Sequence, residues 1–313
     1  MNKLTCDAFQ EISDWMHRNA RSIELALWRY RFEGGNKDEV LAALSYYQNK
    51  DGGFGHALEP DCWNPNSSPY TTLYAIRLLR GIGFTHLQHR VFQGILKYLT
   101  SGEHITDYGW PFTIPSNDHY PHAPWWTYNA DSNSYESIGV TAELCGFVLR
   151  YAARNEEIYR KALDYTDALI KILKQPTNLG DMGVQGYCAL LADLEHAEPA
   201  CRFDCDFLQK RLKKLVARSI ERDIAKWPHY NAKPSEYIKS PDSIFYPGNE
   251  EIVSAELDYI LDSRHPGGVW DIAWSWFEHN EKYPKEFAVS ENWWKAIKAI
   301  EQVQFLKNFD RME

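Results

Sequence analysis

Residues 54–63 concentrate side chains that can donate, accept or hold a proton. His56, Glu59 and Asp61 fall within six residues of one another, in a loop that precedes a predicted helix. An imidazole and two carboxylates at this spacing can supply a general acid, a general base or metal ligands. A carboxylic acid in an aromatic pocket has a raised pKa and keeps its proton near neutral pH. We therefore predict a catalytic role for these three side chains, with loop capping as the structural alternative.

A second cluster, residues 120–128, places His122 beside two adjacent tryptophans and two prolines. We predict that His122 also takes part in catalysis and that the aromatic rings form one wall of a cavity. Aromatic faces stabilise carbocations and also stack on sugar rings, so the cluster suits an isoprenoid or a carbohydrate ligand. A hydrophobic plug is the structural alternative. The aromatic residues predicted to bind substrate are Phe54, Trp63, Trp110, Trp125, Trp126, Tyr128, Trp270 and Trp274.

Two long irregular loops are predicted, at about residues 101–134 and 227–247. Loops of this length inside a compact chain are usually functional, and their Trp, Tyr, His and Pro content disfavours disorder. The second loop can close over a cavity as a lid. Its Lys233 or Lys239 can hold an anion, although isolated lysines are usually solvated.

The elements that must position these side chains are helices. Apolar residues recur at steps of three and four along most of the chain, and no strand pattern is evident. Ser68 and Pro69 form a typical helix start, with a hydroxyl cap followed by proline. We predict an all-α chain of helical hairpins, with helices at about 8–31 (interrupted near Asn19), 37–48, 69–79, 86–100, 136–153, 155–173, 183–196, 203–226, 248–263 and 289–308.

The turn at residues 48–55 reads Gln-Asn-Lys-Asp-Gly-Gly-Phe-Gly, and residues 69–76 open the next helix as Pro-Tyr-Thr-Thr-Leu-Tyr-Ala-Ile. This pairing resembles the repeat of the prenyltransferase β subunit and squalene cyclase superfamily. Weaker echoes occur at residues 267–270 and 108–110. The resemblance implies an α/α toroid, a ring of helical hairpins around an aromatic-lined cavity, and we predict one such domain over residues 1–313.

The chain departs from that superfamily where its chemistry is decided. It has no Asp-x-Asp-Asp proton donor and no Asp-Asp-x-x-Asp magnesium motif. Asp61 and Cys62 are adjacent, whereas the zinc-binding prenyltransferases have an Asp-x-Cys spacing. No metal ligand set is assigned, and the sequence identifies no cofactor.

Three functions are compatible with these features. The resemblance and the 12 Trp, 19 Tyr and 14 Phe favour acid–base chemistry on a hydrophobic, isoprenoid-type substrate, with Asp61 or Glu59 as the acid. A carbohydrate-active enzyme on a helical barrel is the alternative, with two carboxylates flanking a glycosidic bond. The third is a binding scaffold without catalysis.

Composition limits the partners and the location. A net charge of −9 without a basic strip argues against nucleic acid. No window of 18 apolar residues appears, so we expect no integral membrane span. Six cysteines without a Cys-x-x-Cys pair, and an N-terminus without an apolar stretch, favour free thiols in the cytoplasm.

Overall fold

A computed structural model describes residues 2–197 and 202–313. Within these ranges the chain forms fourteen α-helices, several short 3-10 turns and no β-strands, and about 60% of its residues are helical. The predicted all-α class is confirmed. The helices are α1 Cys6–Asn19, α2 Ser22–Phe32, α3 Lys37–Ser45, α4 Pro69–Gly81, α5 Arg90–Ser101, α6 Ala130–Glu136, α7 Ile138–Tyr151, α8 Glu157–Leu173, α9 Gly180–Leu194, α10 Cys205–Ser219, α11 Pro234–Tyr237, α12 Glu250–Ser263, α13 His279–Lys282 and α14 Pro284–Asn308.

Capping explains where several helices begin and end. The break predicted near Asn19 separates α1 from α2, and Ser68 caps α4 by accepting from the Thr71 N–H. Helix α10 ends at Ser219, before the predicted 226, because Asp223 caps a separate short turn at residues 224–226. Helix α6 lies inside a predicted loop, where the Asn129 side chain accepts from two backbone N–H groups of its first turn.

The described residues group into two compact units. The first unit comprises the described part of Met1–Tyr46 together with Ile220–Glu313, and the second comprises that of Tyr47–Ser219. In the first unit the two ends of the chain are joined, because the Leu4 N–H donates to the Arg311 carbonyl at 2.8 Å. Trp28 of α2 is fully buried there and stacks on Phe9 of α1, with ring centroids 5.4 Å apart.

The second unit is built around α7, which is buried from Gly139 to Leu149. It packs against α8 and α9. A Cβ atom on Gly186 of α9 would lie 2.3 Å from the Gly139 carbonyl oxygen. Glycine at these positions therefore allows the two backbones to approach closely.

Across the described ranges, every helix is too short or too polar to cross a bilayer.

Candidate functional site

The turn at residues 48–55 is a structural corner of the second unit. The Gln48 side chain donates to the carbonyls of Gly52 and Val91, at 2.8 and 3.0 Å. Asp51 accepts from the Gly53 N–H at 2.9 Å and from the Ser67 hydroxyl at 2.8 Å. Gln48 and Asp51 therefore have structural roles that explain their presence in the turn without a ligand.

Phe54 ties this corner to the start of α4. Its side chain is fully buried, and its N–H donates to the Thr72 hydroxyl at 3.1 Å. Its carbonyl accepts from the Ser68 N–H at 3.1 Å. The loop at residues 55–68, which carries the predicted acids, is thereby fixed at both ends.

That loop pairs with the loop at residues 114–126. The Asp61 carbonyl accepts from the Ala123 N–H at 2.8 Å, and the Trp63 N–H donates to the Pro121 carbonyl at 2.9 Å. His56 and Ala57 adopt positive φ angles of 57° and 56°. Such backbone is costly for residues with a side chain and is often found at functional sites.

The structure places the predicted catalytic residues in different surroundings. Glu59, Asp61 and His122 are buried, with 3%, 2% and 3% of their surface exposed, whereas His56 is exposed. The His122 Nδ1 lies 2.7 Å from the Tyr120 carbonyl, which can only accept, so this nitrogen carries the proton. The His122 ring is thus held in one orientation.

Tyr70, Phe112 and Trp126 form an aromatic cluster, and the charge of the buried Glu59 acts on Tyr70. The Tyr70 ring centroid is 4.5 Å from that of Trp126 and 5.4 Å from that of Phe112, and the latter two are 4.6 Å apart. Burial raises the pKa of the Tyr70 hydroxyl, and the negative charge of Glu59 adds to the rise while Arg77 opposes it. The electrostatic influence of Glu59 therefore reaches one member of the aromatic cluster.

One polar atom of this aromatic cluster is unsatisfied. The indole Nε1 of Trp126 is buried and has no hydrogen-bond partner. An unmade hydrogen bond at a buried donor costs about 1–3 kcal/mol. A structure that retains such a donor commonly uses it elsewhere, for example toward a ligand or a water molecule.

A ladder of ion pairs borders the aromatic cluster. Arg77 of α4 donates to Glu143 of α7 at 2.8 Å, and Arg80 donates to the other oxygen of Glu143 at 2.5 Å. Arg80 also pairs with Asp193 of α9, which accepts from Arg150 at 3.1 Å. The two carboxylates are buried and the three guanidinium groups are partly exposed, so the ladder joins three helices and presents cations to solvent.

The predicted aromatic residues do not form one group. Trp126 belongs to the aromatic cluster, and Trp110 is buried against Tyr165. Trp125 is exposed, and Trp63 and Tyr128 are half-buried. Trp270 and Trp274 belong to the first unit. Tyr70, Phe112 and Arg77 were not among the predicted site residues. The local signal for Tyr70 and Arg77 is their spacing of seven residues, which puts both on one face of α4; Phe112 has no such signal.

The corner also borders an open, polar cavity of about 260 Å³ in the second unit. Its lining offers carboxylate, amide, hydroxyl and imidazole groups and one apolar side chain, so it suits a small hydrophilic molecule. His104 accepts or donates there toward the Tyr98 hydroxyl at 3.0 Å, and burial lowers the pKa of this histidine. The lining residues are Asn49, Asp51, Asn66, Ser67, Glu103, His104, Ile114 and Ser116.

The described residues contain no group of three or more His, Cys, Asp or Glu side chains arranged to hold a metal ion. His196, Cys201 and Cys205 lie close together in the sequence but match no standard zinc spacing, and Cys201 lies outside the described ranges.

Comparison of the chain with models of protein families, with curated proteins and with solved structures found no match.

Proposed function

We propose that this chain is an α/α toroid similar to prenyltransferase β subunits and squalene cyclases, and that its second unit transforms a hydrophobic, isoprenoid-type molecule by acid–base chemistry. The observation that carries the proposal is a buried carboxyl group, Glu59, whose charge acts on Tyr70 of the aromatic cluster formed with Phe112 and Trp126. Ring faces stabilise a developing positive charge. A buried carboxyl group is suited to deliver the proton that creates this charge.

The neighbouring groups support distinct roles. Asp61 is buried two residues from Glu59 and is the second candidate acid. Tyr70 and Arg77 are partly accessible to solvent, so a ligand that approaches from their side would reach the aromatic cluster. The unpartnered Nε1 of Trp126 can donate to a polar end of that ligand.

The test is binding and turnover of polyprenyl probes. Farnesol, geranylgeraniol and their diphosphates are titrated into the full-length protein, with the melting temperature and product formation as readouts. We expect at least one probe to raise the melting temperature and Tyr70→Ala to abolish that rise. Tyr135→Ala is the matched control, because Tyr135 is an exposed tyrosine of the same unit. A protein that ignores all four probes would contradict the proposal.

Glu59→Gln separates an enzyme from a binding scaffold. The amide keeps the size of the side chain and removes its acidic proton. If Glu59 is the catalytic acid, the Glu59→Gln variant still binds the probe, but its turnover is lower than that of wild type by about 100-fold or more, the usual contribution of general acid catalysis. A scaffold shows no turnover in either form.

A carbohydrate-active enzyme is the second candidate. It is favoured by the polar lining of the cavity beside Asp51 and Glu103, where hydroxyl groups would find both donors and acceptors. Hydrolysis of a glycoside by the wild-type chain, lost in Glu103→Gln, would favour this candidate over the first.

The proposed location is the cytoplasm. It is supported by the thiols of Cys6, Cys62, Cys145 and Cys188, which are free, as expected in a reducing compartment.

A further inference from the structure

The first unit carries an aromatic corner, formed by Tyr230, Trp274 and Trp294. The Tyr230 and Trp274 rings are nearly perpendicular, at 88°, with centroids 6.1 Å apart. Trp294 of α14 meets Trp274 at 82° and 5.2 Å. Tyr230 is 71% exposed and Trp274 is half-buried, so two ring surfaces of the aromatic corner are open to solvent.

A charged pair on α14 lies beside these rings. The Lys298 ammonium is 5.9 Å from the Trp274 ring centroid and 2.9 Å from a carboxylate oxygen of Glu301. Both side chains are partly exposed, Lys298 by 30% and Glu301 by 50%. Residues 294, 298 and 301 are spaced by four and three along α14 and therefore share one face of the helix.

A second lysine faces this pair. Lys239 is exposed and donates to the Ser235 carbonyl at 2.6 Å. The charged groups facing Lys239 are Lys298, Glu301, Glu236 and Glu256, and Arg31 also faces Glu301.

We propose that the aromatic corner, with Lys298 and Glu301, binds the ring of a carbohydrate. The apolar face of a sugar ring packs on an aromatic side chain, and each of its hydroxyl groups both donates and accepts a hydrogen bond. Lys298 supplies donors and Glu301 supplies acceptors next to the half-buried Trp274 ring. This site belongs to the first unit and does not depend on the chemistry proposed for the second.

Other ligand classes fit this site less well. A quaternary ammonium group stacked on Trp274 would meet the positive charge of Lys298, which lies 5.9 Å from the ring centroid. A purely apolar chain would strip water from the Lys298–Glu301 pair without replacing its hydrogen bonds. A phosphate would compete with Glu301, which already accepts from Lys298.

The test uses the full-length protein and a panel of hexasaccharides of β-linked glucose, xylose, mannose and N-acetylglucosamine and of α-linked glucose. Binding is followed by calorimetry and tryptophan fluorescence. We expect at least one to bind with a Kd below about 10 mM, and Trp274→Ala to weaken it at least about tenfold. Tyr46→Ala is the matched control, because Tyr46 is an 82% exposed tyrosine of the same unit, and its affinity is expected to equal that of wild type.

Two results overturn the inference: no member of the panel binds at about 10 mM, or a bound sugar keeps its affinity in Trp274→Ala. Should Trp274→Ala lose its helical circular dichroism, Lys298→Met and Glu301→Gln replace it, since both side chains are partly exposed; unchanged affinity in both is then the overturning result. Tyr135→Ala, an exposed tyrosine of the second unit, is expected to leave sugar binding unchanged. Failure of this site is therefore distinguishable from failure of the isoprenoid proposal.

Discussion

Glu256 accepts two hydrogen bonds from a single residue, Ser235, whose N–H and hydroxyl lie 2.7 and 2.6 Å from its two carboxylate oxygens. The bonds join α12 to the first turn of α11. Burial raises the pKa of Glu256 to about 7 from its ordinary value of 4.5, although the Ser235 bonds oppose the rise. This carboxyl group is therefore the clearest source of pH-dependent stability in the first unit.

The first prediction concerns that dependence. Between pH 4.5 and about 7 the folded chain keeps a proton on Glu256 that the unfolded chain has lost. The contribution of Glu256 is therefore fully present below pH 4.5 and is lost as pH rises through 7, a fall of about 3 kcal/mol in the free energy of unfolding. Glu256→Gln is expected to remove this fall, since an amide can accept from the Ser235 N–H and donate to its hydroxyl.

The measurement is urea denaturation of both proteins across that pH range. The difference in unfolding free energy between Glu256→Gln and wild type should grow as pH rises. Glu251→Gln, an exposed acid on the same helix, reports the effect of removing a surface carboxylate. A difference that stays constant with pH would show that Glu256 does not titrate in this range.

The second prediction concerns the ion-pair ladder. Glu143→Ala leaves Arg77 and Arg80 without their shared carboxylate, and we expect the free energy of unfolding to fall by about 3 kcal/mol. This value lies toward the lower end of the range for broken buried ion pairs, because both arginines still reach water. Glu157→Ala is the control. It breaks an exposed pair with Lys161 on α8 and is expected to leave the melting temperature unchanged. Equal effects of the two changes would contradict a buried role for Glu143.

The third prediction concerns the corner at residues 48–55. Gly52 has a φ of +100°, and a Cβ there would lie 2.0 Å from the Gly94 carbonyl oxygen. Gly52→Ala should destabilise the chain by at least about 3 kcal/mol, from backbone strain and overpacking together. Gly102→Ala isolates the strain, because Gly102 has a φ of +77° with open space around it. Denaturant midpoints that coincide for the two variants would rule out the close contact.

The fourth prediction concerns thiol reactivity. Burial raises the pKa of the Cys145 thiol to about 12 and also raises that of Cys62, whereas Cys6 is exposed. A thiolate is the reactive form. Iodoacetamide followed by peptide mass spectrometry should label Cys6 in the native protein, and label Cys62 and Cys145 only in urea. Native labelling of Cys145 would mean that α7 opens readily.

The sequence predicted the helices well because their signals are local. Ser68 and Pro69 mark the start of α4 within two residues, and the break after Asn19 follows from the apolar spacing on either side. Helix α6 was missed because its start depends on Asn129, one polar residue in a loop rich in aromatic and polar residues. A capping residue predicts the start of a helix only where an apolar helical periodicity follows it.

The candidate site was less predictable because its contacts are distant in the chain. Glu59 and Asp61 were recognised from residue type. Tyr70, however, contacts Phe112 and Trp126, which are so far from it in the sequence that no helical or strand periodicity predicts the contacts. The adjacent Trp125 and Trp126 illustrate the limit. They occupy one short helical turn, which exposes the first and buries the second, and sequence alone assigned both the same role.

The pairing of Leu4 with Arg311 has a consequence for biosynthesis. The first unit is discontinuous, with residues 47–219 inserted between its two segments, whereas the second unit is contiguous and is complete on the ribosome well before residue 313 is added. Contiguous units can fold as they emerge. Helices α1 and α2 pack against α14 as well as against each other, so their packing is completed only after α14 has been synthesised.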